Sequence, residues 1–429
     1  MTKQNKNRIL PIIMMIALFG MISFVTGLQN PMAIIVKNQF GATNFMSQLG
    51  NAANFIAYAF MGIPAGLLLQ RVGYKKTALI AVAVGFTGVG IQYLSGGVGS
   101  FAVYLTGAFV SGFSMCMLNV VVNPMLNTLG GGGRKGNQLI QIGGSFNSLN
   151  ATIVPVLVGY LIGNASQATI KDANPALFIA MGVFALVFIV LLLVDIPEPR
   201  LDSETDKPAE KLSPLSPLQF RHFGLGALAI FVYIGIEVGI PNFANLYMTE
   251  AVTEGGLGMN TTIAGSVVGT YWFLMLIGRL TGAALGAKVS SKAMLTFTAC
   301  LAAFFVIVAM FSSPETTVNM PVFLSDISFG TAQVPIGIMF LTLCGLCTSV
   351  MWGGIFNLAV EGLGKYTEAA SGIFMTLVCG GGIFPLFQGL LADSFGFMAS
   401  FWLVFACSLY LVYYALIGCK NVNTDISVD

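Results

Sequence analysis

Long apolar runs recur along the whole of this 429-residue chain, and short polar segments separate them. Runs of about 20 apolar residues are what an α-helix needs to cross a membrane, whereas a transmembrane β-strand needs about ten residues of alternating polarity. The pattern therefore predicts an all-α integral membrane protein with twelve transmembrane helices. The predicted helices are 10–36, 45–69, 77–95, 101–128, 139–162, 175–195, 223–248, 260–286, 292–312, 334–358, 367–391 and 397–418.

One long polar segment divides these helices six and six. It begins at Glu198, ends at Gln219 and is rich in charged residues and prolines, so it cannot bury apolar surface. We expect an N-terminal six-helix half at 1–197, a cytoplasmic linker at 198–221 and a C-terminal six-helix half at 222–429.

The composition changes the range of functions that need considering. Hydrophobic residues make up 56% of the chain and charged residues 8%, against about 25% charged residues in soluble domains. The net charge is +2, which gives no excess for binding a polyanion. These values exclude a soluble enzyme, a nucleic-acid binder and a disordered scaffold.

The cysteines and the single histidine do not predict a metal or redox site. All seven cysteines fall in or beside apolar segments, and Cys344-Gly-Leu-Cys347 has no second pair. His222, the only histidine, lies far from that motif in the sequence. We expect no metal and no cofactor.

Basic residues set the predicted orientation. With both termini in the cytoplasm, 16 of the 19 lysines and arginines fall on the cytoplasmic side. The expected location is the plasma membrane, which in a bacterium is the inner membrane.

Two internal repeats support the division into halves. Gly62-Ile-Pro-Ala-Gly66 and Pro155-Val-Leu-Val-Gly159 recur in the same order as Gly278-Arg-Leu-Thr-Gly282 and Pro385-Leu-Phe-Gln-Gly389. The two motifs are further apart in the second half than in the first, which fits a longer loop around Pro314–Gln333 in the second half. Parallel repeats of this kind are typical of transporters with a midplane binding site.

Glu237 is the only acidic residue expected in the middle of a span. An ionised carboxylate there costs at least ~2.5 kcal/mol, so the residue should be protonated or paired. We interpret it as the candidate for proton coupling. A glutamate that only hydrogen-bonds two helices together remains the alternative.

Several motifs resemble the major facilitator superfamily, and within it the fucose/glucose/galactose:proton symporter family. The loop signature is Gly66-Leu-Leu-Leu-Gln-Arg71-Val-Gly73-Tyr-Lys75-Lys76, with Gln70 in place of the usual aspartate. The family motifs are Ile63-Pro-Ala-Gly66, Asn123-Pro124 with Leu129-Gly130, Phe146-Asn147-Ser148, Tyr233-Ile-Gly235-Ile-Glu237-Val238, Gly278-Arg279-Leu-Thr-Gly282 and Gly380-Gly-Gly382-Ile. The resemblance implies the major facilitator fold and transport of a sugar with protons. Asn30 and Asn119 stand where the fucose symporters have acidic residues, while Glu237 matches a glutamate of the glucose/galactose branch.

The polar residues of the spans supply candidates for solute binding. Asn119 and Asn123 lie four residues apart and share a helix face, and amides both donate to and accept from hydroxyls. In the resembled superfamily, helices 1, 4, 7 and 10 line the cavity. The binding candidates are Asn30, Asn119, Asn123, Asn147, Tyr233, Asn242, Trp352 and Asn357. Each of them could instead hold helices together.

Arg71 and Arg279, at predicted inner helix ends, are candidates for a cytoplasmic gate. They could pair with Glu361 or Glu368, or they could be ordinary positive-inside anchors.

The sequence thus predicts a secondary active transporter that takes up a monosaccharide, or a similar small neutral polar solute, together with protons by alternating access. A proton-coupled exporter of drugs or metabolites and a uniporter remain alternatives. A membrane-embedded enzyme or receptor is disfavoured, because no nucleophile and base can be assembled. The expected partners are the solute, the proton and the lipid bilayer.

Overall fold

The computed structural model describes residues 3–40, 44–131, 133–162, 169–198, 213–286, 288–324, 328–423, 425–426 and 428. The helices and strands, in chain order, are α1 Lys3–Phe40, α2 Asn44–Val98, α3 Phe101–Leu129, α4 Gly133–Ile162, α5 Asn174–Leu193, α6 Arg221–Thr249, α7 Thr261–Leu285, α8 Ser291–Phe311, β1 Thr317–Phe323, β2 Phe329–Pro335, α9 Ile336–Thr348, α10 Met351–Val360, α11 Thr367–Thr376, α12 Gly380–Phe395 and α13 Phe397–Tyr413.

Helix α2 contains two of the predicted spans, 45–69 and 77–95. Its helical dihedral angles are interrupted at Gly73, where φ is 83° and ψ is 178°. A residue with a Cβ is strained at such angles, so the chain needs glycine there. The stretch from Leu49 to Val98 has 50 residues. As a helix it would measure about 75 Å, more than twice the thickness of a hydrocarbon core.

The carboxylate of Glu198 caps the part of α2 that follows this interruption. The backbone N–H groups of Tyr74 and Lys75 donate to its two oxygens at 2.8 and 2.9 Å. The first N–H groups of a helix have no partner within the helix, and an acidic side chain there is also favoured by the helix dipole. Glu198 thus stabilises a new helix start beside the Gly73 break.

The spans predicted at 334–358 and 367–391 are each formed by two helices. Between α11 and α12 the chain makes a 3₁₀ turn at Leu377–Cys379. A Cβ on Gly380 would collide with the carbonyl oxygen of Phe231 on α6, so the chain needs glycine at this close approach.

A β-hairpin occupies the region where a long loop was expected. Strands β1 and β2 pair antiparallel, with Asn319 opposite Gln333. One face is buried and the other, which carries Asn319 and Gln333, is exposed. The Phe323 N–H donates to the Thr270 hydroxyl of α7 at 2.8 Å, which fastens the hairpin to that helix. The fold is therefore mostly helical, and the prediction of an all-α chain was wrong at this segment.

Among the described residues, ten helical segments are long and apolar enough to cross a membrane. The predicted spans 45–69 and 77–95 share one of these segments. The predicted span 139–162 lies in α4, and the structure does not describe several side chains of that helix. Many large apolar side chains on these helices are exposed, such as Leu193 at 80% and Phe311 at 73%. Exposed apolar helix surfaces of this kind suit contact with lipid.

The chain forms two compact units. The first comprises Met1–Gly224, Val360–Cys379 and Asn421–Asp429, and the second comprises Leu225–Ala359 and Gly380–Lys420. The predicted halves assign Val360–Cys379 and the C-terminal tail to the second half, whereas these segments lie in the first unit. Residues 199–212 of the predicted linker lie outside the described residues, and the division at 198–221 stays a prediction.

Candidate functional site

Glu237 and Arg279 form a buried ion pair within the second unit. Arg279 Nη2 of α7 lies 3.4 Å from Glu237 Oε1 of α6, and the side chains are 9% and 13% exposed, respectively. The sequence required Glu237 to be protonated or paired, and it is paired. The sequence left two alternatives for Arg279, a pair with Glu361 or Glu368 and a surface anchor, and the structure instead places it against Glu237. A charge-assisted hydrogen bond is usually 2.7–2.9 Å long, so this contact is loose.

A proline explains a second link between Glu237 and α7. In a regular helix the carbonyl of Glu237 would accept from the N–H of residue 241, but Pro241 has none. The hydroxyl of Tyr271 donates to this freed carbonyl oxygen at 3.2 Å. The same hydroxyl lies 3.1 Å from the Thr348 hydroxyl of α9. Tyr271 therefore holds three helices together beside the ion pair.

Two aromatic rings, those of Tyr233 and Trp352, lie near the Glu237–Arg279 pair. Tyr233 lies one helical turn before Glu237 on α6, and its ring centre is 6.3 Å from that of Trp352 on α10. The Tyr233 hydroxyl is buried beside the Glu237 carboxylate and interacts with it. We call Tyr233, Glu237, Arg279 and Trp352 the Glu237 cluster.

Charged, hydroxyl and aromatic groups are thus combined at one buried place. A small number of polar groups beside aromatic surface is typical of small-molecule sites. The ring faces suit the C–H surface of a sugar, and the hydroxyl and carboxyl groups suit its hydroxyls. Groups of this chemistry suit a neutral polyol, and a carboxyl group is one that can gain or lose a proton.

The predicted asparagine face lies in the first unit, on α3. The Asn119 amide donates to the Tyr58 hydroxyl of α2 at 3.0 Å and to the carbonyl of Met115 at 3.1 Å. The Asn123 amide donates to the backbone carbonyl of Asn119 at 2.9 Å and to its side-chain oxygen at 3.3 Å. Both asparagines are buried. These contacts order the amides and at the same time join α3 to α2.

The remaining binding candidates are more scattered. Asn147 and Asn242 are half-buried. Asn357 donates to the Ser291 hydroxyl at 3.0 Å, which ties α10 to the start of α8. The side chain of Asn30 lies outside the described residues.

The other gate candidates lie at the surface. Arg71 and Glu361 are both exposed. The backbone carbonyl of Glu361 is 3.0 Å from His222 Nε2, so this segment is held through its main chain. The side chain of Glu368 lies outside the described residues.

Sequence reasoning missed Tyr58, which bonds to Asn119, and Tyr271 and Thr348, which link helices beside the Glu237 cluster. A tyrosine in an apolar helix gives little signal, because it packs as readily as it hydrogen-bonds. Pro241, four residues after Glu237, was the available signal, since it frees the Glu237 carbonyl for a partner from another helix.

Comparison with known proteins identifies the family. The sequence profile of the Major Facilitator Superfamily matches residues 14–384. The chain belongs to the Major Facilitator Superfamily.

Within the superfamily, the chain is similar to several sugar transporters. The chain is 30% identical to a glucose/galactose transporter of Brucella abortus biovar 1 (strain 9-941) over 98% of its own length and 97% of the relative's. It is 26% identical to a putative glucose/galactose transporter of Helicobacter pylori (strain J99), with 94% and 96% of the two chains covered. It is 24% identical to the L-fucose-proton symporter of Escherichia coli (strain K12), with 92% and 89% covered.

The fold is similar to a solved structure as well. A crystal structure of the Major Facilitator Superfamily transporter FucP in the outward conformation matches with a TM-score of 0.77 at 21% identity, over 95% of this chain and 98% of that one. The predicted resemblance is confirmed, and the chain is a multi-pass membrane transporter rather than an enzyme.

Proposed function

We propose that this transporter takes up a monosaccharide, or a similar small neutral polar solute, together with protons, by alternating access. The curated relatives that it matches along nearly their whole length are glucose/galactose transporters and fucose-proton symporters. The observation that carries the proposal is the Glu237 cluster. It places a carboxyl group that can exchange a proton beside a buried tyrosine hydroxyl and a tryptophan ring.

Within this proposal Glu237 carries the coupled proton. Tyr233 and Trp352 contact the solute through a hydroxyl and a ring face. In the first unit, Asn119 and Asn123 supply further amides to the solute, as do Asn30, Asn147, Asn242 and Asn357 where their helices reach it. Arg71 and Glu361 act at the cytoplasmic gate.

Transport by purified protein in proteoliposomes tests this function. Glucose, galactose and fucose are offered outside the vesicles, with an inward proton gradient imposed or absent. We expect one of these sugars to accumulate only when the gradient is present. Uptake that follows the sugar's own gradient and ignores the proton gradient would show a uniporter. Efflux driven by protons moving inward would show an exporter.

Membership of the superfamily leaves open the number of spans and their orientation in this chain. We propose twelve spans in two six-helix halves, with α2 crossing the membrane twice around Gly73, and with both termini on the cytoplasmic side of a bacterial inner membrane. The length of α2 and its break between Arg71 and Lys75 support two crossings with a cytoplasmic turn.

Accessibility of single cysteines tests this topology. Ser203→Cys and Ser213→Cys are made in a chain whose seven native cysteines are replaced by serine or alanine. Thr317→Cys, in the hairpin that follows α8, is the matched control for the proposed extracellular side. An impermeant maleimide should label Thr317→Cys in intact cells and the other two only after lysis. Labelling of Ser213→Cys in intact cells would reverse the proposed orientation.

A further inference from the structure

Among the lysines and arginines whose side chains the structure describes, Arg279 alone is buried. A guanidinium keeps its proton in proteins, and a buried cation needs a compensating partner. The partner here is Glu237, at 3.4 Å. Because Glu237 can take up a proton and Arg279 cannot lose one, the pair is neutral when Glu237 is ionised and carries one positive charge when it is protonated.

Glu237 has two contacts with α7, and protonation of its carboxylate changes only one of them. The Tyr271 hydroxyl binds the backbone carbonyl oxygen, which does not titrate. Arg279 binds the side-chain carboxylate, whose charge disappears on protonation. Protonation therefore removes the electrostatic contact and leaves the main-chain contact in place. The carboxyl group is released from the guanidinium while α6 and α7 stay together.

The Glu237 carboxylate lies beside the Tyr233 hydroxyl as well as beside Arg279. Tyr233 lies one turn away on α6, beside the Trp352 ring. The other titratable neighbours are Tyr271 on α7 and, around Tyr271, Cys344 and Cys347 on α9. Buried phenols and thiols are neutral near pH 7. Among the described groups that face Glu237, Arg279 is thus the one that carries a permanent charge.

We propose that Arg279 is the positioning residue that makes solute binding at the Glu237 cluster depend on a proton. The guanidinium holds the ionised carboxylate toward α7. A hydronium ion from the loading side transfers one proton to a carboxylate oxygen and leaves as water. One O–H bond of the hydronium ion breaks, one O–H bond forms on the carboxyl group, and the ion pair ends. The protonated carboxyl group, beside Tyr233, donates that O–H to a solute oxygen. This step rests on the proposed coupling role of Glu237.

The test separates binding from coupling by using the full-length protein in proteoliposomes with radiolabelled galactose as the probe. Counterflow, which needs no net proton movement, is measured between about pH 5.5 and 8.5, a range that spans the usual titration of buried carboxyls and histidines. Accumulation under an imposed proton gradient is measured in parallel. The variants are Arg279→Gln, Arg279→Lys, Glu237→Gln and, as a matched control on the same helix, Tyr271→Phe.

In Arg279→Gln we expect counterflow to persist with a flattened pH profile and accumulation to fall roughly tenfold or more, the size of a typical coupling between two sites. Arg279→Lys should recover part of both, since it keeps the charge and loses the planar fork. Tyr271→Phe should keep the wild-type pH profile. If Arg279→Gln does not fold, the neutral double variant Glu237→Gln/Arg279→Gln replaces it and should show counterflow without pH dependence.

Two results overturn different claims. A folded Arg279→Gln variant with the wild-type pH profile and accumulation, alongside a Glu237→Gln variant that has lost accumulation, overturns the role of Arg279 alone. Wild-type accumulation in Glu237→Gln overturns the coupling role of Glu237 and with it the proposed function of the cluster.

Discussion

The side-chain amide of Asn119 donates to the hydroxyl of Tyr58 across 3.0 Å. This bond joins α3 to α2 at a position where the amide was expected to serve the solute. Both hydrogens of the Asn119 amide are donated, to Tyr58 and to the Met115 carbonyl. A solute hydroxyl would therefore donate to the side-chain oxygen, which has two lone pairs and also accepts from Asn123. The two roles predict different results for the two partners of the bond.

Asn119→Ala should weaken solute binding if the amide contacts the solute. A solute hydroxyl that loses its partner costs about 1–3 kcal/mol, which is about 5- to 150-fold in affinity. Tyr58→Phe is the matched control, because it removes the same interhelical bond and leaves the amide in place. Titration of solute into the purified variants, followed by thermal shift, measures both affinities. Equal and small losses in the two variants would assign Asn119 to helix packing alone.

Glu237→Gln should be less stable than the neutral double variant Glu237→Gln/Arg279→Gln. The single change leaves Arg279 buried without its counter-charge, and breaking a buried pair in this way costs about 3–5 kcal/mol. The double change removes both charges together. Thermal unfolding in detergent compares the two proteins, with Glu361→Gln as a control at an exposed acid. A double variant less stable than both single variants would show that the pair is not the dominant interaction at this site.

Proton-driven accumulation should be lost in Glu237→Gln wherever the variant folds. Glutamine keeps the shape and hydrogen-bonding capacity of the side chain but cannot ionise. Exchange of labelled for unlabelled solute should continue, because it requires no net proton movement. Loss of both activities would indicate a solute-binding or structural glutamate instead.

Glu198→Ala should destabilise the part of α2 that follows Gly73. It removes the acceptor for the Tyr74 and Lys75 N–H groups, and the loss of a helix cap costs about 0.5–2 kcal/mol. Asp195→Ala is the control, since its carboxylate is fully exposed and lies 4.0 Å from Lys75 Nζ. Such surface pairs contribute little. The melting temperatures of the two variants test the difference, and equal values would contradict the cap.

Gly62→Ala should disturb the contact between α2 and α11. A Cβ at this position would meet the hydroxyl and backbone nitrogen of Thr376 and lie 2.7 Å from the Gly372 carbonyl oxygen. Backbone atoms cannot move aside cheaply, so we expect lower thermal stability and slower transport. Gly182→Ala on α5 is the control, because nothing lies within 4 Å of its Cβ position. A Gly62→Ala protein as stable and active as Gly182→Ala would show that the two helices approach less closely than in this structure.

The helices could be predicted because lipid imposes one strong rule on the sequence. A chain crossing hydrocarbon must satisfy its backbone hydrogen bonds internally, so apolar runs of sufficient length become helices. Each predicted range overlaps described helix, and the errors occur where that rule does not apply. The hairpin at Thr317–Phe323 and Phe329–Pro335 has short strands of mixed polarity, which resemble a loop. The break at Gly73 lies between the predicted spans 45–69 and 77–95, but the cap that Glu198 provides there could not be predicted, because that residue is distant in sequence.

Glu237, Tyr233 and Trp352 could be selected from the sequence as candidates, whereas their contacts could not be predicted. A lone acid in an apolar run identifies Glu237 by the cost of burying its charge. Its partner could not be chosen from sequence, because Arg279 near the inner end of a helix also reads as a positive-inside anchor. Only the packing of α6 on α7 brings the guanidinium to the carboxylate instead of to the surface.

Glu198 also affects the order in which the protein can be completed during synthesis. The N–H groups of Tyr74 and Lys75 are made more than 120 residues before the carboxylate that they bind. At a synthesis rate of about 5–20 residues per second, the ribosome reaches Glu198 roughly 6 to 25 seconds after Lys75. Until then this helix start in the nascent chain has no such acceptor. A fragment that ends at residue 197, the predicted boundary of the N-terminal half, stops one residue short of its own cap. An independently expressed first half therefore needs to extend through Glu198.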